Sequence, residues 1–350
     1  MTTDDDQLLS RRVFLQAGLT AAALSACSPA DKTGTQDPTA TAEQLAKRIQ
    51  GVSPVAIVAC PSYAHNPLPD IKKHLSELAL SNLKGKRVLI KPNMVEYRDG
   101  RPLTTNPAIL KTAVELVNYL GAKEIIVADG PAEFRDTEFL LAATGIGSMC
   151  KILGVPFVDL NLDSLMEVEN PHGFTPLKSI WMSETVMKSD CVVSLPKLKT
   201  HQWAGMTCCL KNLFGTIPGR KYGWPKNIIH TVGIDIFIID IAHMVKPAFA
   251  LVDAVVSMEG NGPLSGNPKA TGFLVLAKDL AAADATCARA MEFDPTLMLY
   301  MRLAGQVIGN IESSQIKILG TPLTEVTQKF VMPDTWKSGK LDISGAHAGT

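Results

Sequence analysis

The sequence carries no excess charge of either sign. Its 34 lysines and arginines balance 34 aspartates and glutamates, so it lacks the global basic field on which non-specific nucleic-acid binding relies, and any strong electrostatics must be local. No Cys-x-x-Cys occurs, which removes the local signature of an iron–sulfur cluster or a zinc ribbon. Neither a G-x-x-x-x-G-K-[ST] loop nor a Gly-x-Ser-x-Gly elbow is present. The turn Gly260-Asn261-Gly262-Pro263-Leu264-Ser265-Gly266 is not a dinucleotide fingerprint: its last glycine comes one position too late, and Pro263 stands where a helix should begin. There is no internal repeat. Beyond the N-terminus no apolar run approaches the roughly 18 to 20 residues of a membrane span; the richest, Ile234 to Ile241, is interrupted by Asp235 and Asp240.

What is present is a chain of 350 residues, 46% hydrophobic, ample for the core of one large or two smaller domains. Residues 1–27 read as an address. Ser10-Arg11-Arg12-Val13-Phe14-Leu15-Gln16 before the weakly apolar Ala17 to Ala26 has the architecture of a twin-arginine export signal, and Leu24-Ser25-Ala26-Cys27 resembles a lipoprotein box in which Cys27 becomes the lipidated first residue. Residues 28–50 begin rich in Ser, Pro, Thr, Asp and Gly and suit a tether. Residues 51–332 form the expected α/β domain, and 333–350 a polar tail. The expected location is therefore periplasmic or extracytoplasmic, lipid-anchored to a membrane, with the twin-arginine machinery as a partner. That route is associated with proteins that fold before export, often around a cofactor.

Six cysteines follow Cys27. An oxidising compartment leaves fifteen full pairings open, but Cys60 and Cys191 sit in apolar runs that suit buried thiols.

The clearest architectural signal covers residues 86–130. The strand Arg87 to Ile90 runs into Lys91-Pro92-Asn93; Asn106-Pro107 starts a helix through Leu120, closed by Gly121; Glu124 to Ala128 is the next strand. This order indicates a parallel βαβ unit, and ligands bind at the C-terminal strand ends of such sheets. Short strands are expected at Val55 to Ala59, Phe157 to Leu160, Leu177 to Trp181, Cys191 to Leu195, Phe249 to Val255, Thr271 to Ala277 and Ile316 to Leu319. Helices are expected at Ile71 to Leu80, Ile228 to Met244, Leu280 to Met291 and Pro295 to Val307. The fold class is α/β, with a mostly parallel sheet built from βαβ units, in two lobes with a cleft.

The span from Ser194 to Gly219 concentrates the chemistry. Lys197, Lys199, His201, Lys211 and Asn212 fall within it among Leu198, Trp203, Met206 and Phe214. With Lys91 and Asn93 they make a cationic group suited to a phosphate or carboxylate. His201 and His230 are the candidates for acid–base work or metal ligation. Asp129, which follows a strand, and Glu259, which opens the glycine-rich turn, could hold a cation, orient a ribose, cap turns or pair with the lysines.

Lys91-Pro92-Asn93, Thr105-Asn106-Pro107, Ala128-Asp129-Gly130, Pro196-Lys197-Leu198-Lys199-Thr200-His201, Lys211-Asn212-Leu213-Phe214-Gly215 and Glu259-Gly260-Asn261-Gly262-Pro263 together resemble the family called domain of unknown function 362. His201-x-x-Ala204-Gly205-x-x-Cys208-Cys209-x-Lys211, with Pro218-Gly219 and His230 downstream, is similar to the core motif of the nickel-pincer lactate racemases, with Cys208-Cys209 where that family has a Gly-Gly pair. The second resemblance implies an acid–base role for His201, covalent attachment of a metal-bearing anionic cofactor to Lys211, and nickel ligation by His230. Two functions are expected: an exported enzyme doing proton or hydride transfer on a small carboxylate-type metabolite, or a non-catalytic lipoprotein that binds or delivers an anionic ligand or metal. Neither requires nucleic acid.

Overall fold

The chain divides into two units, Met1–Pro38 and Thr39–Thr350. A computed structural model describes residues 49–80, 82–131, 136–170, 172–223, 226, 229–230 and 232–336, all in the second unit. The export signal, Cys27, the tether up to residue 48 and the tail from residue 337 lie outside them.

Twelve strands occur among the described residues: β1 (Ser53–Ala59), β2 (Arg87–Pro92), β3 (Glu124–Asp129), β4 (Phe157–Asp159), β5 (Leu165–Glu169), β6 (Ser179–Ser183), β7 (Cys191–Leu195), β8 (Lys197–His201), β9 (Gly205–Thr207), β10 (Phe249–Glu259), β11 (Asn267–Ala277) and β12 (Ile316–Gly320). Ten of them make one sheet, in the order β12-β1-β11-β10-β7-β2-β3-β4, with β8 joined to β10 and β9 to β8. Most neighbours are parallel; the antiparallel exceptions are β1 with β11, β10 with β11, and β8 with β9. The α/β class with a mostly parallel sheet is therefore observed. β5 and β6 form a separate hairpin.

Both faces of the sheet are covered, and the strand sequences show it. In β1, Val55 and Ile57 enter one core while Ala56 and Val58 enter the other; in β2, Leu89 enters the first while Val88 and Ile90 enter the second. With a period of two and both faces buried, such strands read as continuous apolar runs. Three helices matter below: α1 (Pro107–Tyr119) on one face, and α2 (Cys209–Asn212) and α3 (Leu280–Ala290) on the other. α1 begins as its sequence dictates. Asn106 accepts from the Ala108 amide at 2.9 Å, and Pro107 fills the first position, where no N–H is needed. The sheet belongs to a single unit, so the two apolar cores are its two faces, and the cleft sought between two lobes is replaced by a pocket at the strand ends.

Several element limits differ from expectation, each with a local cause. The helix expected from Ile228 is interrupted: Ile229 and His230 are helical, Gly233 at φ 106 breaks the path, and the long helix runs from Ile234. The helix expected over Pro295 to Val307 is split by extended Met298 into a short 3-10 turn and a helix from Leu299. The helix sought over Ile71 to Leu80 covers only Leu68–Lys73 and is followed by turns. The largest difference concerns Lys197 to His201. No strand is expected there, yet it forms the buried strand β8, which continues β7 beyond Pro196 along the edge of β10, with Asp253 N donating to the Pro196 carbonyl at 2.9 Å.

Asp279 joins three segments of this frame. Its carboxylate caps α3 by accepting from the Ala281 and Ala282 amides at 3.0 and 3.1 Å, and it also accepts from Ser53 Oγ at 2.5 Å and from the Asn310 amide at 2.8 Å. Asp279→Ala strands buried donors on all three segments, and we expect it to cost about 2–4 kcal/mol. Urea unfolding measures this; a loss below about 0.5 kcal/mol shows that the junction does not depend on the carboxylate.

Candidate functional site

The C-terminal ends of β2 and β3 place Lys91 beside Asp129. Lys91 Nζ lies 2.6 Å from Asp129 Oδ1, and both side chains are 1% exposed. The remaining Nζ contacts go to the Pro92 carbonyl at 2.8 Å and Asn212 Oδ1 at 3.1 Å. Asp129 is likewise filled, accepting from Gly130 N at 2.8 Å and Met94 N at 2.7 Å. Burial lowers the Lys91 pKa and Asp129 opposes the shift. Two glycines allow this close approach: a Cβ on Gly215 would meet Asp129 Oδ1 at 2.3 Å and Lys91 Nζ at 2.6 Å, and one on Gly130 would meet the Gly215 carbonyl at 2.8 Å. The Lys91 ammonium, expected to bind a ligand, is spent on the floor of the site.

Above that floor is a cavity of about 120 Å³, lined by Asn93, His201, Trp203, Lys211, Phe214, Lys226 and His230 among others. Lys211 comes from the single-turn α2. Its Nζ sits 4.2 Å from the centre of the Phe214 ring, and burial, reinforced by Lys91 and opposed by Asp235, brings its pKa to about 7. Lys226 is fully buried, donates to the Gly130 carbonyl at 3.0 Å, and is also lowered to about 7, chiefly by burial. Asn93 Oδ1 is a buried acceptor with no partner.

The two histidines both leave Nε2 open, but in opposite tautomers. His201 Nδ1 lies 3.1 Å from Trp203 N and 3.2 Å from Ala204 N. Those amides can only donate, so Nδ1 is the acceptor and the neutral ring carries its proton on Nε2. Burial, then the Lys211 and Lys199 charges, holds His201 neutral, well below the usual histidine pKa. His230 Nδ1 lies 3.0 Å from the Lys226 carbonyl, which can only accept, so Nδ1 bears the proton and Nε2 has a bare lone pair. Its pKa falls to about 4, first through burial and then through Lys211. His201 is thus set up as a hydrogen-bond donor, and the basic nitrogen belongs to His230. Ring contacts join them: Trp203 lies 6.1 Å from His201 and 5.4 Å from His230, and Phe214 lies 5.0 Å from His230.

The site therefore brings together Lys91, Asn93, Asp129, His201, Lys211, Asn212 and His230 from the expected set. It does not bring in the other three. Lys197 pairs with Asp253 at 3.0 Å and borders a second cavity with Tyr63 and Asn106. Lys199 is fully buried and donates to the Leu103 carbonyl at 2.8 Å. Glu259 pairs with Lys269 and accepts from Val331 N, both at 3.0 Å. Lys226, missed in the sequence, sits between Pro225 and Asn227 in no motif and at φ 68, a left-handed conformation unusual for lysine.

The chain belongs to the family described as Domain of unknown function (DUF362), which matches residues 88–289. It is 28% identical over 259 residues to a thylakoid-associated protein of Synechocystis sp., covering 72% of this chain and 76% of that one. Among solved structures it is similar to the lactate racemase apoprotein of Thermoanaerobacterium thermosaccharolyticum, at 14% identity and a TM-score of 0.43. That alignment takes in 70% of this chain and 58%, less than two thirds, of the racemase chain.

Lys211 and Lys226 lose their charge near pH 7, so an anion that needs their ammonium groups binds more weakly as pH rises through that value. Titration calorimetry with glycolate, whose charge is constant over the range, should show Kd rising about tenfold between pH 6 and 8 for each lysine engaged. A flat profile means that neither ammonium meets the ligand.

Proposed function

We propose that this member of the DUF362 family is an enzyme that binds a small carboxylate bearing a hydroxyl group and moves a proton at the carbon between them. One observation carries the reading: a neutral imidazole with a bare Nε2, His230, and an amine of pKa about 7, Lys211, stand on the same Phe214 ring in one small cationic cavity. A group that titrates near the working pH, as Lys211 does, is suited to general acid–base work, and His230, neutral there, offers an open but weakly basic nitrogen. Lys226 and the Nε2–H of His201 would hold the carboxylate, and the unpartnered Asn93 Oδ1 would accept from the hydroxyl. As the carbon loses its proton to His230 Nε2, negative charge grows on the carboxylate oxygens, where preformed donors stabilise it most. The Lys211 ammonium would return a proton. The acid–base role expected of His201 thus passes to His230.

The nickel-pincer cofactor implied by the sequence motif meets only part of its requirements here. Lys211 offers a reactive amine and His230 an open nitrogen. A cavity of about 120 Å³, however, is well below the roughly 300 Å³ at which sites for larger ligands begin, and His201 Nε2 carries a proton. The residues fit a small metabolite rather than a nucleotide-sized group.

Exchange of the carbon-bound hydrogen of lactate with deuterium oxide tests the chemistry. His230→Gln should reduce exchange about 100-fold or more while changing Kd by less than about threefold. Undiminished exchange would falsify the assignment of His230, and tight binding with no exchange in the unaltered protein would leave a ligand-binding lipoprotein.

The Arg11-Arg12 signal and Cys27 support export by the twin-arginine route and a lipid anchor in the envelope. Cys27→Ala should move the protein from the membrane to the soluble fraction and abolish metabolic labelling with a fatty acid; a membrane fraction unaffected by the change counts against the anchor.

A further inference from the structure

On the far side of α2 from the cavity lies a second group of reactive side chains that takes no part in the chemistry above. Cys208 and Cys209 stand at the start of α2. Asp284 and Cys287, three residues apart and so on one face of α3, complete the group. All four are fully buried. The Cys208 and Cys209 sulfurs are 3.7 Å apart, and the ligand atoms of Cys208, Cys209 and Asp284 lie within 4.8 Å of one another; Cys287 neighbours Cys208 just outside that group. Each Asp284 oxygen accepts one amide, Oδ1 from Cys209 N at 2.7 Å and Oδ2 from Leu210 N at 3.1 Å, so each keeps a further lone pair. The Tyr300 hydroxyl is fully buried, has no hydrogen-bond partner among the described residues, and feels the charge of Asp284 and Cys208.

Neutral thiols are at home in a dry core, but a carboxylate met only by two amides there is costly unless further positive charge compensates it. Zinc–sulfur bonds of about 2.3 Å in a tetrahedron place two sulfurs about 3.8 Å apart, which matches the Cys208–Cys209 separation. Thiolate donors select soft or borderline cations over magnesium and calcium. We propose that Cys208, Cys209, Cys287 and Asp284 bind one thiophilic divalent cation of the zinc type, in a closed site that fastens α2 to α3. Because α2 carries Lys211 and Asn212, the ion would fix the wall of the cavity from behind, a structural role independent of the proton-transfer reading.

Cobalt(II) reports on such a site directly. The reduced full chain, stripped of metal and titrated with cobalt(II), should take up one equivalent and develop thiolate-to-cobalt charge-transfer bands with the strong ligand-field absorption of a tetrahedral ion. Zinc should displace it and raise the thermal midpoint. Cys209→Ser and Cys287→Ser should each lose those bands, whereas Cys150→Ser, distant in sequence and outside the group, should keep them. The unaltered protein decides the matter even where a variant fails to fold. No tetrahedral bands, bands that survive in Cys209→Ser, or a stable disulfide among these cysteines in the isolated protein overturns the site.

Discussion

The buried pair between Lys91 and Asp129 is the contact on which the arrangement turns. Both groups sit at the ends of adjacent parallel strands, where side chains leave the ladder and point beyond the sheet. Neither reaches water. Such a pair is tolerated when hydrogen bonds serve both partners, and here they do: three contacts serve the ammonium, and backbone amides from two segments serve the carboxylate. Satisfying them draws in Asn212 from α2, Met94 from beyond β2 and Gly130 from beyond β3. The pair therefore acts as a junction for the chain segments around the cavity, and breaking half of it costs about 3–5 kcal/mol. Glycine at 215 follows from the same junction, because a Cβ there occupies space the charged groups need, and glycine at 130 lets that segment lie against the Gly215 carbonyl and the Asn161 side chain.

With that pair closed on itself, the ligand-facing charge falls to other lysines. Desolvation sorts them. Lys197 has its own carboxylate, Asp253, and becomes part of the frame. Lys199 has only a carbonyl, and burial together with the Lys197 and Lys211 charges depresses its pKa strongly. Lys211 and Lys226 are depressed to about 7 and face the cavity. An anion placed between them would favour their protonated forms, so under the proposed function the cavity would suit negative charge without holding a full set of ammonium groups when empty.

Much of the frame was legible in the sequence. The β2, α1 and β3 segment could be read because both faces of each strand are apolar, Asn106-Pro107 is a helix start and Gly121 a stop. β8 was not legible, since Lys197-Leu198-Lys199-Thr200-His201 alternates like a solvated ribbon. Only tertiary burial, with Asp253 and the Leu103 carbonyl supplied from distant segments, makes two lysines acceptable there. The candidate site was legible where its residues fall in dense motifs, as with Lys91, Asp129, His201, Lys211 and His230. The roles within it were not: which nitrogen of each histidine is basic depends on amides and a carbonyl placed by the fold. Lys226 had no motif, and the partners of Cys208 and Cys209 lie more than seventy residues further along the chain.

The single-turn helix α2 shows why these roles hang together. Four residues form no stable helix alone, since nucleation is unfavourable and nearly every backbone group in so short a segment is terminal. Asp284 supplies acceptors for its first amides, as a capping side chain does. At the other end Asn212 is fixed by Lys91 and Ser194. Ser194 in turn donates to the Cys209 carbonyl at 3.0 Å. Lys211 projects from a turn held at both ends, so its amine can be kept partly desolvated over Phe214 instead of swinging out to water. Depressing a lysine pKa requires denying it that escape, and the tethers on either side of residue 211 do so.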